Sequence, residues 1–492
     1  MQRRKSTHRR AAQLLCATAI GLSFGLVACG GGGGGGGTPS ISPPPPPATG
    51  TLVFTGDNGT GISVFAVEDN GTGTRKLSDS TAASDRTVSD VQVSPDQEWV
   101  AFIADPTGED QLYVNQIAGG TPVRVNRIET DGIVTTTVKS FDWSPDSQQL
   151  VFAADLDNRT PRGDGTNSFA NEIYVIDRNG TSEFKISTPI GTNADTDLRN
   201  PQWGPIGPYI LHETGPIGAS FGPSTSLNLH NAATGNRDST RVVTTTSELR
   251  DVRWAPDGER FAMLGSFLTF DPGPVLATYR VNFLRADFVS FRSSVYNTYA
   301  INPDSASLAF SNAPEWNIGF WSEADPTVVP ITAWLGLDLS PLKKIEYAPD
   351  GDEVAYLFGG EIFTIPDNSP ARDPETKVVS APSASQAVID FKWSPDSSQL
   401  AFVGDLNTDD VFELFVVNAD GTGLIAISDP AGAAQVSESF EWSPDGTQIA
   451  FSAGASQATP SAVFIAEADG SGVTRVSDAS ISDIGEIAYI SN

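Results

Sequence analysis

A four-residue motif recurs along the chain, and its spacing limits the folds that the chain can adopt. The clearest copies read Trp-Ser-Pro-Asp, and weaker copies vary the first two positions or lose the aspartate. The motif prolines are Pro95, Pro145, Pro205, Pro256, Pro303, Pro349, Pro395 and Pro444. Successive prolines lie 50, 60, 51, 47, 46, 46 and 49 residues apart. A repeat of this length is typical of the blades of a β-propeller.

Each repeat contains four short segments with strand character. In the last repeat these segments span residues 439–442, 448–451, 462–465 and 473–476, and we label them strands a, b, c and d. They are runs of apolar, β-branched or aromatic residues between turn signals, whereas no useful helical periodicity appears. The sequence therefore predicts an all-β protein built of four-stranded antiparallel blades.

The motif itself predicts a turn between strands a and b. Proline ends strand a because it has no N–H to donate to a ladder. The aspartate side chain can then bond nearby backbone amides, so Asp146, Asp396 and Asp445 are interpreted as turn formers rather than as metal ligands or catalytic acids. The motif tryptophan is expected to pack between neighbouring blades. A second turn signal separates strands c and d, at Asn70-Gly71, Asn179-Gly180, Asp420-Gly421 and Asp469-Gly470.

The two ends of the repeat region complement each other. Residues 51–77 supply strands b, c and d without a strand a, and residues 486–490 supply a lone strand a with Tyr489 in place of the tryptophan. Pairing them would close the ring and remove an exposed sheet edge. Eight motif repeats plus this shared one predict nine blades, with eight as the competing count because rings of four to eight are usual. The repeat around residues 267–300 is the least regular and could be distorted or partly outside the ring.

These repeats resemble the TolB-like family of propellers with Pro-Asp motifs, which is related to the propeller of prolyl oligopeptidases. The resemblance covers nearly all of residues 51–492 and is specific for the fold but weak for the function. Periplasmic TolB also has an N-terminal α/β domain, and prolyl oligopeptidases have a hydrolase domain. Neither has a counterpart in this sequence, so the resemblance does not transfer TolB's own partners or peptidase chemistry.

The N-terminus has the order of an export signal. Basic residues between Arg3 and Arg10 precede an apolar run over 11–28, which is too short for a comfortable transmembrane helix. The run ends in Leu26-Val27-Ala28-Cys29-Gly30, which resembles the bacterial lipobox and implies lipid attachment at Cys29. Cys16 is a poorer candidate because Leu15 is bulky, and an ordinary cleavage after Ala28 is the alternative. We therefore expect a signal peptide at 1–28, a Gly/Pro-rich tether at 29–50 and a propeller at 51–492.

Composition sets further limits. The chain carries 30 basic and 60 acidic residues; five basic residues lie in 1–28, which leaves 25 − 60 = −35 for the mature chain. Such a charge repels nucleic acid. Both cysteines lie at or before position 29, so no disulfide is expected in the mature protein. By the lipobox resemblance, Gly30 favours the outer membrane facing the periplasm, with surface exposure as an alternative.

The functional surface is predicted from the pattern of connections. The a–b and c–d turns should share one face and be short, whereas the b–c and d–a connections share the other face and are longer and more variable. Variable loops on a rigid scaffold are where function concentrates. The predicted b–c loops include 155–171, 215–226 and 404–412. We expect partner contacts at Asp157, Asp164 and Asp409.

Three more specific sites can be considered. Gly218-Ala219-Ser220-Phe221-Gly222 matches a nucleophile elbow near His212, but that motif needs a strand-to-helix turn that an all-β repeat does not provide. Asp155, Asp157 and Asp164, or Asp405, Asp409 and Asp410, offer oxygen ligands for calcium without matching an EF-hand loop. The two histidines that survive processing, His212 and His230, are more plausible as packing residues on strands than as a zinc pair.

The sequence thus favours a lipid-anchored envelope scaffold that binds a protein, peptide or glycan through its b–c and d–a face. Alternatives are a hydrolase or lyase with a pocket at the propeller axis, and an assembly factor for the outer membrane. No catalytic residue is named, and the scarcity of histidine and cysteine disfavours an enzyme. No cofactor is expected, with calcium as the alternative. The expected partners are envelope molecules and, through the Cys29 lipid, the membrane, but not nucleic acid.

Overall fold

A computed structural model describes most of the repeat region and contains only strands and irregular segments among the residues described. These residues are 50–78, 88–105, 109–127, 137–156, 171–187, 196–216, 226–232, 240–267, 275–282, 285–293, 295–312, 317–322, 329–330, 342–367, 376–428 and 435–491. The all-β prediction is therefore confirmed for this part of the chain.

The described strands follow one another at short intervals. In chain order they are β1 (Gly50–Asp57), β2 (Ile62–Glu68), β3 (Arg75–Lys76), β4 (Val88–Val93), β5 (Trp99–Ala104), β6 (Gln111–Gln116), β7 (Val123–Arg124), β8 (Val138–Trp143), β9 (Gln149–Ala154), β10 (Glu172–Asp177), β11 (Phe184–Lys185), β12 (Thr196–Trp203), β13 (Tyr209–Pro216), β14 (Ser226–Asn231), β15 (Thr240–Trp254), β16 (Arg260–Phe267), β17 (Val275–Asn282), β18 (Arg285–Ser293), β19 (Val295–Ile301), β20 (Ser307–Asn312), β21 (Asn317–Ser322), β22 (Val329–Pro330), β23 (Leu342–Tyr347), β24 (Glu353–Phe358), β25 (Glu361–Pro366), β26 (Thr376–Val379), β27 (Val388–Trp393), β28 (Gln399–Thr408), β29 (Val411–Asn418), β30 (Ile425–Ala426), β31 (Gln435–Trp442), β32 (Gln448–Gly454), β33 (Pro460–Glu467), β34 (Val473–Arg475) and β35 (Ile487–Ser491).

Hydrogen bonding groups these strands into antiparallel sheets. Seven sheets have four strands, and one has seven strands, in the order β12 to β18. In the seven-stranded sheet, β15 pairs with β14 over 240–244 and with β16 over 245–254, so one strand serves two four-stranded units. We number the units by their strands: unit 1 (β35, β1–β3), unit 2 (β4–β7), unit 3 (β8–β11), unit 4 (β12–β14 and the start of β15), unit 5 (the rest of β15, β16–β18), unit 6 (β19–β22), unit 7 (β23–β26), unit 8 (β27–β30) and unit 9 (β31–β34).

The units pack on one another through apolar side chains. Alternate residues of a strand point to opposite faces of its sheet, so each unit can contact a neighbour on both sides. Nine buried apolar clusters lie between consecutive units. One of them joins Ile465 of unit 9 to Leu52 of unit 1, which brings the end of the repeat region against its beginning.

A stacked pair of aromatic rings on strands b and c recurs inside the units. Phe152 and Tyr174 are typical, with ring centroids 5.5 Å apart and an interplanar angle of 24°. The same cross-strand pair occurs at Phe54–Phe65, Phe102–Tyr113, Phe261–Tyr279, Tyr356–Phe363, Phe402–Phe415 and Phe451–Phe464. Such pairs add stability beyond the area they bury. They hold the hairpin register of b and c in each of these units.

The motif tryptophan connects one unit to the unit before it. Nε1 of Trp143 donates to the carbonyl of Gln92, 3.2 Å away on the first strand of unit 2. Trp393 and Trp442 make the equivalent bonds to Glu346 and Lys392, at 3.3 and 3.2 Å. The acceptor is in each case the residue before the first motif position of the preceding unit. The expected packing between neighbouring repeats is confirmed for these tryptophans.

The motif aspartate forms the turn that the sequence predicts. In unit 8, Oδ1 of Asp396 accepts bonds from the hydroxyl of Ser394 at 2.7 Å and from the amide of Ser398 at 3.1 Å. Asp146 and Asp445 accept equivalent bonds in units 3 and 9. The hydrogen bond from Ser394 helps to lower the pKa of Asp396 below its ordinary value. The turn therefore uses the ionised carboxylate.

The last strand completes the first sheet. β35 pairs with β1 in antiparallel register, with Tyr489 opposite Leu52. Trp143 lies opposite Leu150 in the same way, so Tyr489 takes the register position of the motif tryptophan. The Tyr489 hydroxyl lies 3.1 Å from Oδ2 of Asp69 and 2.9 Å from Oε1 of Gln448, and it therefore contacts both unit 1 and unit 9.

Candidate binding face

The connections on the two faces of the sheets differ in length. Every described a–b connection from unit 2 to unit 9 spans five residues, as in 144–148 and 394–398. The b–c connections range from two residues at 359–360 to 17 at 155–171. The conserved length belongs to the face with the Pro-Asp turns, which we call the motif face. The variable lengths belong to the opposite face, which we call the loop face.

The motif face is occupied by bonds between the turns themselves. The amide of Asp96 donates to Oγ of Ser147 at 2.9 Å, and Asp350 donates in the same way to Ser397 at 3.0 Å. From the c–d turn of unit 3, Arg178 lies 3.5 Å from Oδ2 of Asp96 and stacks over Trp99 at 4.4 Å. These contacts place a–b and c–d turns on one face, as predicted, and commit their polar groups to neighbouring turns.

The loop face contains the one predicted binding-loop residue that the structure describes. Asp409 is exposed between β28 and β29, whereas Asp157 and Asp164 lie outside the described residues. The prediction of an open loop over 404–412 is wrong, because Thr408 pairs with Val411 and only Asp409 and Asp410 form the turn. Asp410 has a φ of 62°, which suits a tight hairpin. The role of Asp409 in binding stays a prediction.

The acidic group beside this turn has a structural explanation. Carboxylate oxygens of Asp405, Asp409 and Asp410 lie within 4.8 Å of one another. Asp405 is buried, and its two oxygens accept the amides of Ala387 at 2.6 Å and of Asp410 at 3.1 Å. Through these bonds, Asp405 joins the β28–β29 hairpin to the residue that precedes the first strand of its unit. The arrangement does not require calcium, and calcium stays a prediction.

The two histidines meet inside the contact between units 3 and 4. His212 on β13 and His230 on β14 are both buried, and their Nε2 atoms lie 2.7 Å apart. Two nitrogen ligands of a tetrahedral zinc ion would be about 3.3 Å apart, given bonds of about 2.0 Å. The short separation is that of a hydrogen bond. This geometry agrees with the interpretation of both residues as packing residues on strands.

The first strands of consecutive units are joined by ion pairs close to the motif face. Nζ of Lys392 lies 2.5 Å from Oε2 of Glu441 on the next first strand. Nζ of Lys344 lies 2.9 Å from Glu346 and 3.1 Å from Asp390. Burial lowers the pKa of Lys344, but the two carboxylates outweigh burial and raise it. The two lysines of this row are thus held by three carboxylates, and the row carries a net negative charge.

A β-bulge lies four residues before the motif aromatic in several first strands, a feature that the sequence analysis did not identify. In β8, Val138 pairs with Ala154 and Ser140 with Ala153, so Lys139 is the extra residue. The same one-residue shift makes Arg250, Lys343 and Ile389 the extra residues of β15, β23 and β27. Lys139, Arg250 and Lys343 are exposed. In three of these four strands the extra residue is basic and lies four positions before the motif aromatic, which is a pattern visible in the sequence.

Two predicted sites cannot be placed. Cys29 and the segment Gly218 to Gly222 lie outside the described residues, so lipid attachment and the nucleophile-elbow motif are not tested. In the described portion of the chain, no helix has the length and apolar character needed to span a membrane.

Comparison with known proteins supports the fold. Residues 33–162 match the family model described as the lipoprotein LpqB beta-propeller domain. That match covers about a quarter of the chain and includes strands β1 to β9. No match was found among curated proteins.

Several solved structures align with this chain at low sequence identity. A eukaryotic initiation factor aligns over 90% of this chain and 98% of its own, with a TM-score of 0.53 and 11% identity. TolB from Acinetobacter baumannii aligns over 56% of this chain and 61% of its own, with a TM-score of 0.32 and 14% identity. An oligogalacturonate lyase in complex with manganese aligns over 75% and 85%, with a TM-score of 0.41 and 11% identity.

Proposed function

From the premise that the chain is a β-propeller similar to the TolB-like family, we propose that it is a lipid-anchored scaffold of the bacterial cell envelope. It binds a partner through the loop face. The observation that supports this proposal most directly is the difference between the connections on the two faces. The a–b turns of the motif face share one length and spend their polar groups on neighbouring turns, whereas the b–c connections of the loop face range from two to 17 residues. Variable connections on a rigid scaffold are where binding residues concentrate.

We further propose that the nine units form one closed ring. Two observations support this arrangement: apolar clusters join every consecutive pair of units, and β35 joins the sheet of β1. A closed ring leaves the first strands around a central channel and protects the edges of the sheets. The seven-stranded sheet counts as two blades because β15 serves units 4 and 5.

The anchor is part of the same proposal. The lipobox-like segment ends at Cys29, and the Gly- and Pro-rich residues up to 50 provide a tether before the first strand. The matched family model is that of a lipoprotein, which agrees with this assignment. We place the anchor in the outer membrane, with the propeller facing the periplasm. A role in outer-membrane assembly would use the same anchored scaffold.

The test is site-specific photocrosslinking in cells. One chain carries a photoreactive amino acid in place of Asp409, at the loop face, and a matched chain carries it in place of Gln148, an exposed turn residue of the motif face. A partner that crosslinks from position 409 and not from position 148 supports the proposal. Crosslinks from position 148 alone would show that the partner binds the motif face, and this result would contradict the proposal.

Anchoring is tested in the same cells. Wild type and Cys29→Ala are compared by metabolic labelling with a radioactive fatty acid and by membrane fractionation. We expect label and outer-membrane recovery only with Cys29, and we expect the partner crosslinked from position 409 to depend on that anchoring. Equal labelling of both chains would overturn the anchor. Turnover of a defined glycan or peptide by the purified chain would instead favour the hydrolase or lyase alternative.

A further inference from the structure

The chain enters its first unit from the motif face. Gly50 begins β1, which is strand b of unit 1, and its carbonyl accepts the amide of Asp69 at 3.0 Å. Asp69 lies between β2 and β3, in the c–d turn of the same unit. In units 3, 8 and 9 the equivalent bond runs from the c–d turn to the last residue of the a–b turn, at Gln148, Ser398 and Thr447. Gly50 therefore occupies the place of the last residue of a motif-face turn.

Contacts with the last strand fix this entry point. Gly50 is buried and lies opposite Ser491 at the end of β35. A Cβ at position 50 would clash with the ring of Tyr489, so the backbone passes directly against that ring. The amide and the hydroxyl of Ser491 donate to Oε1 of Gln97, in the a–b turn of unit 2, at 3.1 and 3.0 Å. The start of β1 therefore cannot move towards the loop face without breaking the first sheet.

The chain between Cys29 and this entry point is short compared with the path to the other face. Residues 29–49 number 21, and a chain of that length has a root-mean-square span of about 25 Å. To reach the loop face from Gly50, it would first cross two strand spacings to the outer edge of the unit, about 10 Å. It would then run the height of β1, which is eight residues or about 26 Å. A path that leaves the motif face directly avoids both distances.

Attraction between the motif face and lipid does not explain an orientation of this kind. The exposed carboxylates of Asp146, Asp396 and Asp445 lie on the motif face, and the whole chain carries a net charge of −30. Such a surface is repelled by anionic lipid. The position of the tether is therefore the feature that sets which face lies nearer to the membrane.

We propose that the motif face is turned towards the anchoring membrane and that the loop face is turned away from it. This inference rests on the lipid at Cys29 and on the loop-face binding given under Proposed function. The loop face then meets partners that lie beyond the anchoring membrane, separated from it by at least the height of the sheets. The motif face, whose turns are bonded to one another, is the surface that the membrane shields.

The test compares two matched threonines at opposite ends of unit 1. Thr60 lies in the b–c turn on the loop face, and Thr72 lies in the c–d turn on the motif face. Both are exposed, and each hydroxyl donates to the asparagine two residues earlier, at 2.8 and 2.6 Å. Both native cysteines lie at or before position 29, and the thiol of Cys29 is consumed by the lipid. Thr60→Cys or Thr72→Cys therefore supplies a single free thiol for a fluorophore.

Each labelled full chain is added in detergent to preformed vesicles of neutral phosphatidylcholine that carry an acceptor-labelled lipid, and the detergent is removed. Energy transfer then reports the distance between the fluorophore and the membrane surface. We expect position 72 to lie about 10–20 Å closer than position 60, because β2 between them spans seven residues, or about 23 Å, and the propeller can tilt. In a control chain with residues 30–49 duplicated, the tether spans more, so this difference should shrink.

Equal distances for the two positions, or a shorter distance at position 60, would overturn the proposed orientation. In chains that bind the vesicles through Cys29, such a result rejects the orientation and leaves the anchor intact. If the labelled chains bind the vesicles no better than Cys29→Ala, the anchor fails and this inference fails with it. Partner crosslinking from position 409 measures loop-face binding independently of both.

Discussion

His212 and His230 share a hydrogen bond of 2.7 Å between their Nε2 atoms, inside the apolar contact between units 3 and 4. Nδ1 of His212 lies 3.2 Å from the carbonyl of Glu213 and must donate to it. His212 therefore accepts at Nε2, and His230 donates. Among the described residues, Nδ1 of His230 has no hydrogen-bond partner. The pair is thus suited to two neutral rings and has no acceptor ready for an additional proton.

This geometry predicts loss of stability in mild acid. Burial lowers the pKa of His212 from 6.5 to about 4. Burial and the neighbouring His212 lower the pKa of His230 from 6.5 to about 3. The unfolded chain therefore binds more protons below pH 6.5, and the free energy of unfolding falls as the pH drops from 6.5 towards 4. The slope is about 1.4 kcal/mol per pH unit for each histidine.

Urea unfolding at pH 7 and pH 5 measures this effect. The matched variant combines His212→Phe with His230→Ile. Phe and Ile are the residue types at the equivalent positions of unit 3, Phe152 and Ile176. We expect this variant to lose much less stability between the two pH values than wild type. An unchanged pH dependence would show that other groups control acid unfolding.

The motif tryptophans predict a difference between two similar substitutions. Nε1 of Trp442 donates to the carbonyl of Lys392, whereas Nε1 of Trp254 has no partner among the described residues. Both side chains are buried at the same motif position. Trp442→Phe should therefore lower the free energy of unfolding by about 1 kcal/mol more than Trp254→Phe, because only the first leaves a carbonyl without its donor. Urea unfolding of the two variants is the measurement, and equal losses would contradict this account.

The aspartates of the two faces should respond differently to removal. Asp396 accepts hydrogen bonds within its turn, whereas Asp409 is exposed at the tip of a hairpin. Asp396→Ala should lower the free energy of unfolding by about 1–2 kcal/mol and leave crosslinking from the loop face unchanged. Asp409→Ala should have little effect on stability and should reduce partner capture. Thermal unfolding and partner pull-down together test both statements. Loss of stability in Asp409→Ala together with loss of partner capture in Asp396→Ala would contradict the roles given to the two faces.

The part of the fold that the sequence predicted is the part that depends on local chemistry. Proline and aspartate define the a–b turn within four residues, and alternation defines strands such as β32 and β33. The pairing of Tyr489 with Leu52 also followed, because an unpaired strand at each end needs a partner. The turns and strands require no knowledge of distant contacts, and the distant pairing of Tyr489 with Leu52 required only that the two ends of the repeat region complement each other.

The features that the sequence did not predict depend on register. A single extra residue at Lys139 shifts the pairing of β8 but hardly alters the apolar pattern of the strand. His212 and His230 are 18 residues apart, and only the hairpin of β13 and β14 brings their rings together. Residues 404–412 were predicted to be a b–c loop, whereas Thr408 pairs with Val411 across a two-residue turn.

The residue after the motif aspartate gives a final prediction about contacts between units. It is a serine with positive φ in three motif turns, and Ser147 and Ser397 each accept the amide of the preceding unit's motif aspartate. Gly446 holds the same position with a φ of 72°. A Cβ on Gly446 would meet only Pro395, at 3.6 Å, so the site has room for a serine.

Gly446→Ser should therefore place a hydroxyl where it can accept the amide of Asp396. A positive φ costs a residue with a Cβ roughly 1–2 kcal/mol, and the new hydrogen bond returns about 1 kcal/mol. Gly446→Ala carries the same backbone cost without the hydroxyl, so the serine variant should be more stable than the alanine variant by about 1 kcal/mol. Gly351→Ser is the negative control, because its Cβ would lie 2.5 Å from Oδ1 of Asn302. Differential scanning calorimetry of the three variants tests the order Gly446→Ser above Gly446→Ala above Gly351→Ser, and equal stability of the first two would rule out the added bond.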